Sequence, residues 1–240
     1  MLSSNKISDL RPLAKLANLK NLSLGGNRIS DLTPLADLTS LIELDVSDNK
    51  TPDLSPLAKL VNLKELSLGG NKISDLTPLA DLTSLITLNA WDNKISDLTP
   101  LADLTSLIEL YVGGAEGNKI SDLTPLAKLT NLKVLDLSRN KIPDLTPLSH
   151  LHSLTKLFLG GNKKVSDLAP LSKMTKLDWL ILGQTKVRDL SPLTALTSMR
   201  LLDLTSKEIK SLRPLMAIKL KHDAIISTSK RQEGIRITID

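Results

Sequence analysis

The chain contains no cysteine, only four aromatic residues among 240, and no apolar run long enough to cross a bilayer. Without cysteine there are no disulfides, thiolate metal sites or cysteine nucleophiles, and either a reducing or an oxidising compartment is tolerated. No stretch approaches the ~18 consecutive apolar residues of a membrane helix, and the opening MLSSNKISDLRPL has no apolar core of an export signal, so neither feature is expected within the chain. Dense basic runs are missing too: the formal charge is +5, yet Lys and Asp alternate, and only the late SKR is a cluster. Nucleic acid is therefore a poor first candidate as partner. Leucine is what the chain has in quantity. With 41% hydrophobic residues but an aromatic share of 2%, the composition favours a core built from one side chain in a regular array.

The regularity is explicit. Residues 71–86 read NKISDLTPLADLTSLI, residues 93–108 read the same, and residues 27–42 differ only in Arg28. The period is 22 residues, L-x-x-L-x-L-x-x-N-x-I-x-D-L-x-P-L-x-x-L-x-x, with units beginning at Leu19, Leu41, Leu63, Leu85, Leu107, Leu132, Leu154, Leu177 and Met199. The fifth unit carries an extra Ala115-Glu116-Gly117 and the seventh an extra lysine at Lys163-Lys164; the back half of another unit precedes Leu19.

Each part of the unit has a physical reading. The segment x-x-L-x-L-x-x alternates with period two, so it predicts a short strand with residues such as Leu88 and Ala90 pointing inward. One strand per unit stacks into a parallel sheet. The asparagine at the ninth place (Asn27, Asn49, Asn71, Asn93, Asn118, Asn140, Asn162) can accept from and donate to backbone groups of a buried turn, predicting an asparagine ladder. Thr or Ser before Pro, as in Thr33-Pro34 and Thr99-Pro100, reads as a helix N-cap with proline at the first helical position. The aspartate two residues earlier is expected to bond turn amides. In the GGNK segments the glycines are expected to permit a tight bend after the strand.

On these residues the chain resembles leucine-rich repeat proteins, and its I-x-D-L-x-P-L half is similar to the internalin type, close to the SDS22-like class. The resemblance runs over residues 5–218. It implies an α/β repeat solenoid, a right-handed horseshoe with a concave parallel sheet and short 3-10 or irregular helical turns on the convex side, binding protein ligands on the concave face. The expected organisation is a solenoid over residues 1–218, a partial first repeat plus nine repeats. A C-terminal β-hairpin cap over 219–240 follows from the alternation of Ile235, Ile237 and Ile239 after a polar turn; the start of a following domain is the alternative. Repeat character fades late, where Thr185 and then Lys207 replace the ladder asparagine.

All four aromatics fall at outward strand places: Trp91 at the seventh, Tyr111 and Phe158 at the fifth, Trp179 at the third. Chance placement of all four there has a probability on the order of 0.001. Between the fourth and fifth units the outer side is identical, whereas the strand changes from TLNAWD to ELYVGG. Variation thus sits on the strand face. Trp91 is flanked in its column by Gly69 and Gly113, so its ring is expected to lie over bare backbone, and Phe158, Ile181 and Trp179 form a second apolar cluster. Asp136 and Arg139 stand between the two. Aromatics with such charges resemble interface hot spots, although Phe158, Ile181 and Trp179 packing on one another is the rival reading. Glu43, Asp45 and Glu109, with Asp48, Glu65 and Asp92, make the N-terminal half of this face acidic; a basic partner patch or mere solvation both account for that.

No catalytic site can be assembled. His150 and His152 lie two apart on the outer side and His222 in the tail, leaving no Ser-His-Asp arrangement and no third metal ligand. Asp45 to Asn49 lacks the glycine and glutamate of a calcium loop, and no phosphate-loop motif occurs. The expected function is a non-enzymatic protein-binding scaffold without cofactor or metal, bound neither to nucleic acid nor inserted in a membrane, and monomeric. Two alternatives stay open: a recognition segment of a larger intracellular signalling protein, and a carbohydrate-binding module. The internalin resemblance implies the cell surface; the signalling alternative implies the cytoplasm.

Overall fold

The computed structural model describes residues 2–205, 209, 211, 213–217 and 225–228. Lys207, His222 and the tail isoleucines Ile235, Ile237 and Ile239 lie outside the described residues. One strand arises per repeat: β1 Asn21–Ser23, β2 Glu43–Asp45, β3 Glu65–Ser67, β4 Thr87–Asn89, β5 Glu109–Tyr111, β6 Val134–Asp136, β7 Lys156–Phe158, β8 Trp179–Ile181, β9 Leu201–Leu204 and β10 Ile225–Thr228. They form a ten-stranded sheet in chain order. Each pairs in parallel with the next at equivalent repeat places, for example Leu66↔Leu88↔Leu110. The fold is a leucine-rich repeat solenoid with 3-10 turns on the side away from the sheet. Within the segment expected to form the C-terminal cap, β10 extends the sheet, parallel to β9. The expected polar turn around Lys230 to Gly234 and the arm after it lie outside the described residues.

Strands of three residues have no stability alone; the stacked leucines supply it. In the fourth unit Leu85, Leu88, Ala90, Ile95, Leu98, Leu101 and Leu104 are all at most 1% exposed. A buried leucine contributes roughly 1.5–3 kcal/mol, so the buried apolar residues of each turn of chain offset the ordering of the intervening loops.

The asparagine ladder forms as expected. Asn49 accepts from the N–H of Ile29 at 2.9 Å and donates to the carbonyls of Val46 (3.1 Å) and of Leu24 (3.0 Å) in the preceding unit. Each amide thus bridges two repeats. Thr185, which replaces it, donates to Leu182 O at 2.7 Å.

At the eighth place the backbone is left-handed, glycine or not: Gly70 has φ 65°, Asp92 48°, Arg139 53° and Gln184 61°. The bend is therefore a property of the stack, which glycine accommodates without strain and other residues tolerate at a cost.

The turn on the outer side differs from the expected cap. Thr33 is the first 3-10 residue with Pro34 second, the N-cap position is Leu32, and no side-chain cap bond forms there. Asp31 takes over that task, accepting from Thr33 N at 2.8 Å, as Asp75 and Asp97 do for Thr77 and Thr99. The hydroxyl cannot cap because a 3-10 start places it on the helix itself; the carboxylate two residues upstream reaches back in an Asx turn.

Candidate protein-binding face

The outward residues of the strands line up in columns because every strand pairs in register. The fifth-place column reads Asn89↔Tyr111↔Asp136↔Phe158↔Ile181. The third-place column reads Glu109↔Val134↔Lys156↔Trp179. Trp91, Tyr111, Phe158, Trp179 and Ile181 are all half-buried, none belonging to the core.

Trp91 lies over Gly69: a methyl group on that glycine would sit 2.3 Å from both Nε1 and Cε2 of the indole. At Gly70 it would meet Cη2 at 3.1 Å. The ring therefore leans toward β3. Gly113, on the other side, is occupied differently, since its methyl would meet Asp136 Oδ1 at 2.3 Å. Asp136 is held there by Ser138 N, donating at 2.8 Å.

Tyr111 donates its hydroxyl to Glu109 Oε2 at 2.9 Å, two residues along the same strand face. Partial burial first, then this bond and the carboxylate charge, push the phenol up to about 12. The phenol is thus tied to the carboxylate of its own strand. Arg139 is exposed, and its stem crosses the next turn, where a methyl on Gly161 would lie 2.7 Å from Arg139 Cγ.

Phe158 and Ile181 are direct neighbours across β7 and β8. Trp179 takes a further neighbour, Lys156, whose Nζ stands 4.7 Å from its ring centroid, a cation over the face. Sequence reasoning missed this contact, although aligning the third places of the seventh and eighth units sets Lys156 beside Trp179. It also missed the task of Asp92, which accepts from the N–H groups of Glu116 (2.8 Å) and Gly117 (2.7 Å) and ties down the three-residue insertion. The position of that insertion one repeat beyond Asp92 was the available signal.

Toward the N-terminal end Glu43 and Glu65 are paired in register and exposed, with Asp45 half-buried and bonded to Ser47 N and Oγ. Leu13, Leu16, Leu19 and Leu22 with Glu43, Asp45 and Glu65 line a cavity of about 500 Å³. Among the described residues no three His, Cys, Asp or Glu side chains could hold a metal together, and no helix is long and apolar enough to cross a membrane. His150 and His152 meet edge to face, centroids 6.2 Å apart, away from this surface.

A family described as leucine-rich repeats (2 copies) matches residues 1–37, 39–81, 83–128 and 130–173. Comparison with the curated proteins finds no match. Among solved structures, the internalin InlF of Listeria monocytogenes is 33% identical with a TM-score of 0.76, the match covering 91% of this chain and 70% of that one. Internalin C2 of the same organism is also 33% identical, with a TM-score of 0.74 and coverage of 79% and 89%. A leucine-rich repeat protein of Leptospira interrogans is 26% identical, with a TM-score of 0.78 and coverage of 93% and 64%. Repeat by repeat and in its whole path, the chain belongs to the leucine-rich repeat family and is internalin-like.

Proposed function

We propose that the protein is a non-enzymatic scaffold that binds a protein ligand on its strand face, in the manner of an adhesin. Leucine-rich repeat folds typically serve as interaction scaffolds, and the internalin-like relatives make a cell-surface setting the natural one. The observation that carries the reading is the placement of every aromatic residue of the chain, half-buried, on the outward strand columns. A core filled by leucine has no use for them there. Rigid presentation is the mechanism: a stacked sheet loses little ordering entropy when a ligand docks on Trp91, Tyr111, Phe158, Trp179 and Ile181. Asp136 and Arg139 flank these anchors and set the orientation of the ligand, while Glu43, Asp45 and Glu109 extend the contact toward the N-terminal end.

The test is affinity capture with the intact chain beside a Trp91→Ala, Tyr111→Ala, Trp179→Ala variant of unchanged fold. Loss of the captured proteins with the variant supports the reading, and capture that survives the triple change refutes it. A glycan array run in parallel, if positive and sensitive to the same variant, would replace the protein ligand by a carbohydrate.

A further inference from the structure

The residue after each ladder place is a cation, from Lys6 and Arg28 through Lys186. In the chain these lie about 22 residues apart and read as isolated charges. The fold stacks them. Lys119 N donates to Ile95 O at 2.7 Å, Lys141 N to Ile120 O at 2.8 Å and Lys186 N to Val165 O at 2.8 Å. Such bonds hold successive repeats at strand spacing, ~4.8 Å.

The row is densest from the fifth to the eighth repeat. There Arg139 at the left-handed place and the extra lysine of the seventh unit join it, giving Lys119, Arg139, Lys141, Lys163, Lys164 and Lys186, all exposed. Among the described residues none of the six has an ion-pair partner. Asp122, Asp144, Asp167 and Asp189, each three residues beyond one of these lysines, stay negatively charged but turn to the outer-turn N–H groups of Thr124, Thr146, Ala169 and Ser191 at 2.8, 2.9, 2.8 and 2.8 Å and form no ion pair with the row. A straight row of like charges at this pitch repels itself and gathers counterions, which a linear polyanion displaces with a gain in entropy.

We infer that this flank binds a linear anionic polysaccharide running along the solenoid axis. The charge pitch suits any flexible polyanion; the absence of rings decides between classes. Binding of single-stranded nucleic acid adds aromatic stacking platforms to its basic groove, and the four aromatics stand on the strand face instead. The flank adjoins that face and shares Arg139 with it; the lysines changed in the test lie outside the proposed protein contact, so loss of polysaccharide binding is read apart from the proposed function.

The test uses the full chain and three probes, a sulfated heparin oligosaccharide, a uronate oligosaccharide and an oligodeoxythymidine, titrated calorimetrically over a series of salt concentrations. The heparin oligosaccharide is expected to bind, and the Lys141→Gln, Lys163→Gln, Lys164→Gln variant to bind at least tenfold more weakly at low salt. Its log–log salt slope should shrink by about 2, at ~0.7 for each cation neutralised. A charge-matched Lys15→Gln, Lys59→Gln, Lys173→Gln variant, altered on the outer turns, should stay within about threefold of the parent. Binding of the uronate chain as well, with the same sensitivity, supports recognition by charge spacing. Equal loss in both variants, no binding to either polysaccharide, or tighter binding of the oligodeoxythymidine overturns the inference.

Discussion

Asn93 offers the sharpest test of what holds the stack together. Its Oδ1 accepts from Ile73 N at 3.0 Å, and its Nδ2 donates to Leu68 O at 3.1 Å, Ala90 O at 3.2 Å and Trp91 O at 3.1 Å. The three carbonyls keep other donors when Asn93 is removed, namely Asn71 Nδ2, Asn118 Nδ2 and Gly70 N. Ile73 N does not. Asn93→Ala therefore leaves one buried N–H without a partner, at about 1–3 kcal/mol, and forfeits the bonds of two amide hydrogens, at about 0.5–1.5 kcal/mol each. The expected destabilisation is about 2–6 kcal/mol in urea unfolding followed by circular dichroism. Asn93→Thr should be milder, because Thr185 shows a hydroxyl at this place donating to the carbonyl three residues earlier. Asn27→Ala should also cost less, since its acceptor serves a half-buried Ile7 N and its amide reaches the exposed Leu2. Water can replace those bonds. A destabilisation below about 1 kcal/mol for Asn93→Ala, or equal effects at Asn27 and Asn93, would refute the view that the ladder works by satisfying buried backbone groups.

Three further outcomes are expected. Gly69→Ala should dislodge the Trp91 ring, whose nearest atoms would lie 2.3 Å from the new methyl; in a Trp179→Phe background the emission of Trp91 should shift to the red and become more quenchable by iodide, while urea stability changes little. The sole tyrosine should titrate near 12 in absorbance at 295 nm, as Tyr111 is held up by burial and Glu109. With the folded value above the unfolded ~10, stability is expected to fall as pH rises from about 10 to 12, and Glu109→Gln should bring the midpoint down. At the acid end, bonds from the side chain and backbone of the residue two places on hold Asp31, Asp53, Asp75, Asp122 and Asp144 below the usual carboxylate range, and Arg11 brings Asp9 to about 2. Their folded values are depressed, so the stabilisation is present above ~4 and is lost as pH drops toward about 2; a melting temperature that is flat from about pH 7 to 5 and then declines would agree.

The strand face is legible in the sequence because period two within a strand and period 22 along the chain together assign an address to each residue. The outward placement of Trp91, Tyr111, Phe158, Trp179 and Ile181 follows from that address alone. What the address omits is direction. Whether Trp91 leans toward Gly69 or Gly113, and whether Trp179 offers its face to solvent or to Lys156, depends on which neighbouring column leaves room. The Thr-Pro motif misleads only about the cap: the hydroxyl is expected at the N-cap, whereas Thr33 is the first residue of the 3-10 turn and the upstream aspartate accepts from its N–H.

The amino-acid order by itself determined the repeat, the buried leucine positions and the ladder, since hydrophobic periodicity and backbone satisfaction are local demands met alike in successive units. Only the tertiary structure decided the left-handed eighth place at Arg139 and Gln184, the Asp92 clamp on the insertion, and the row of cations on the flank. Those features arise between repeats, where stacking at strand spacing brings side chains together that the chain keeps some twenty residues apart.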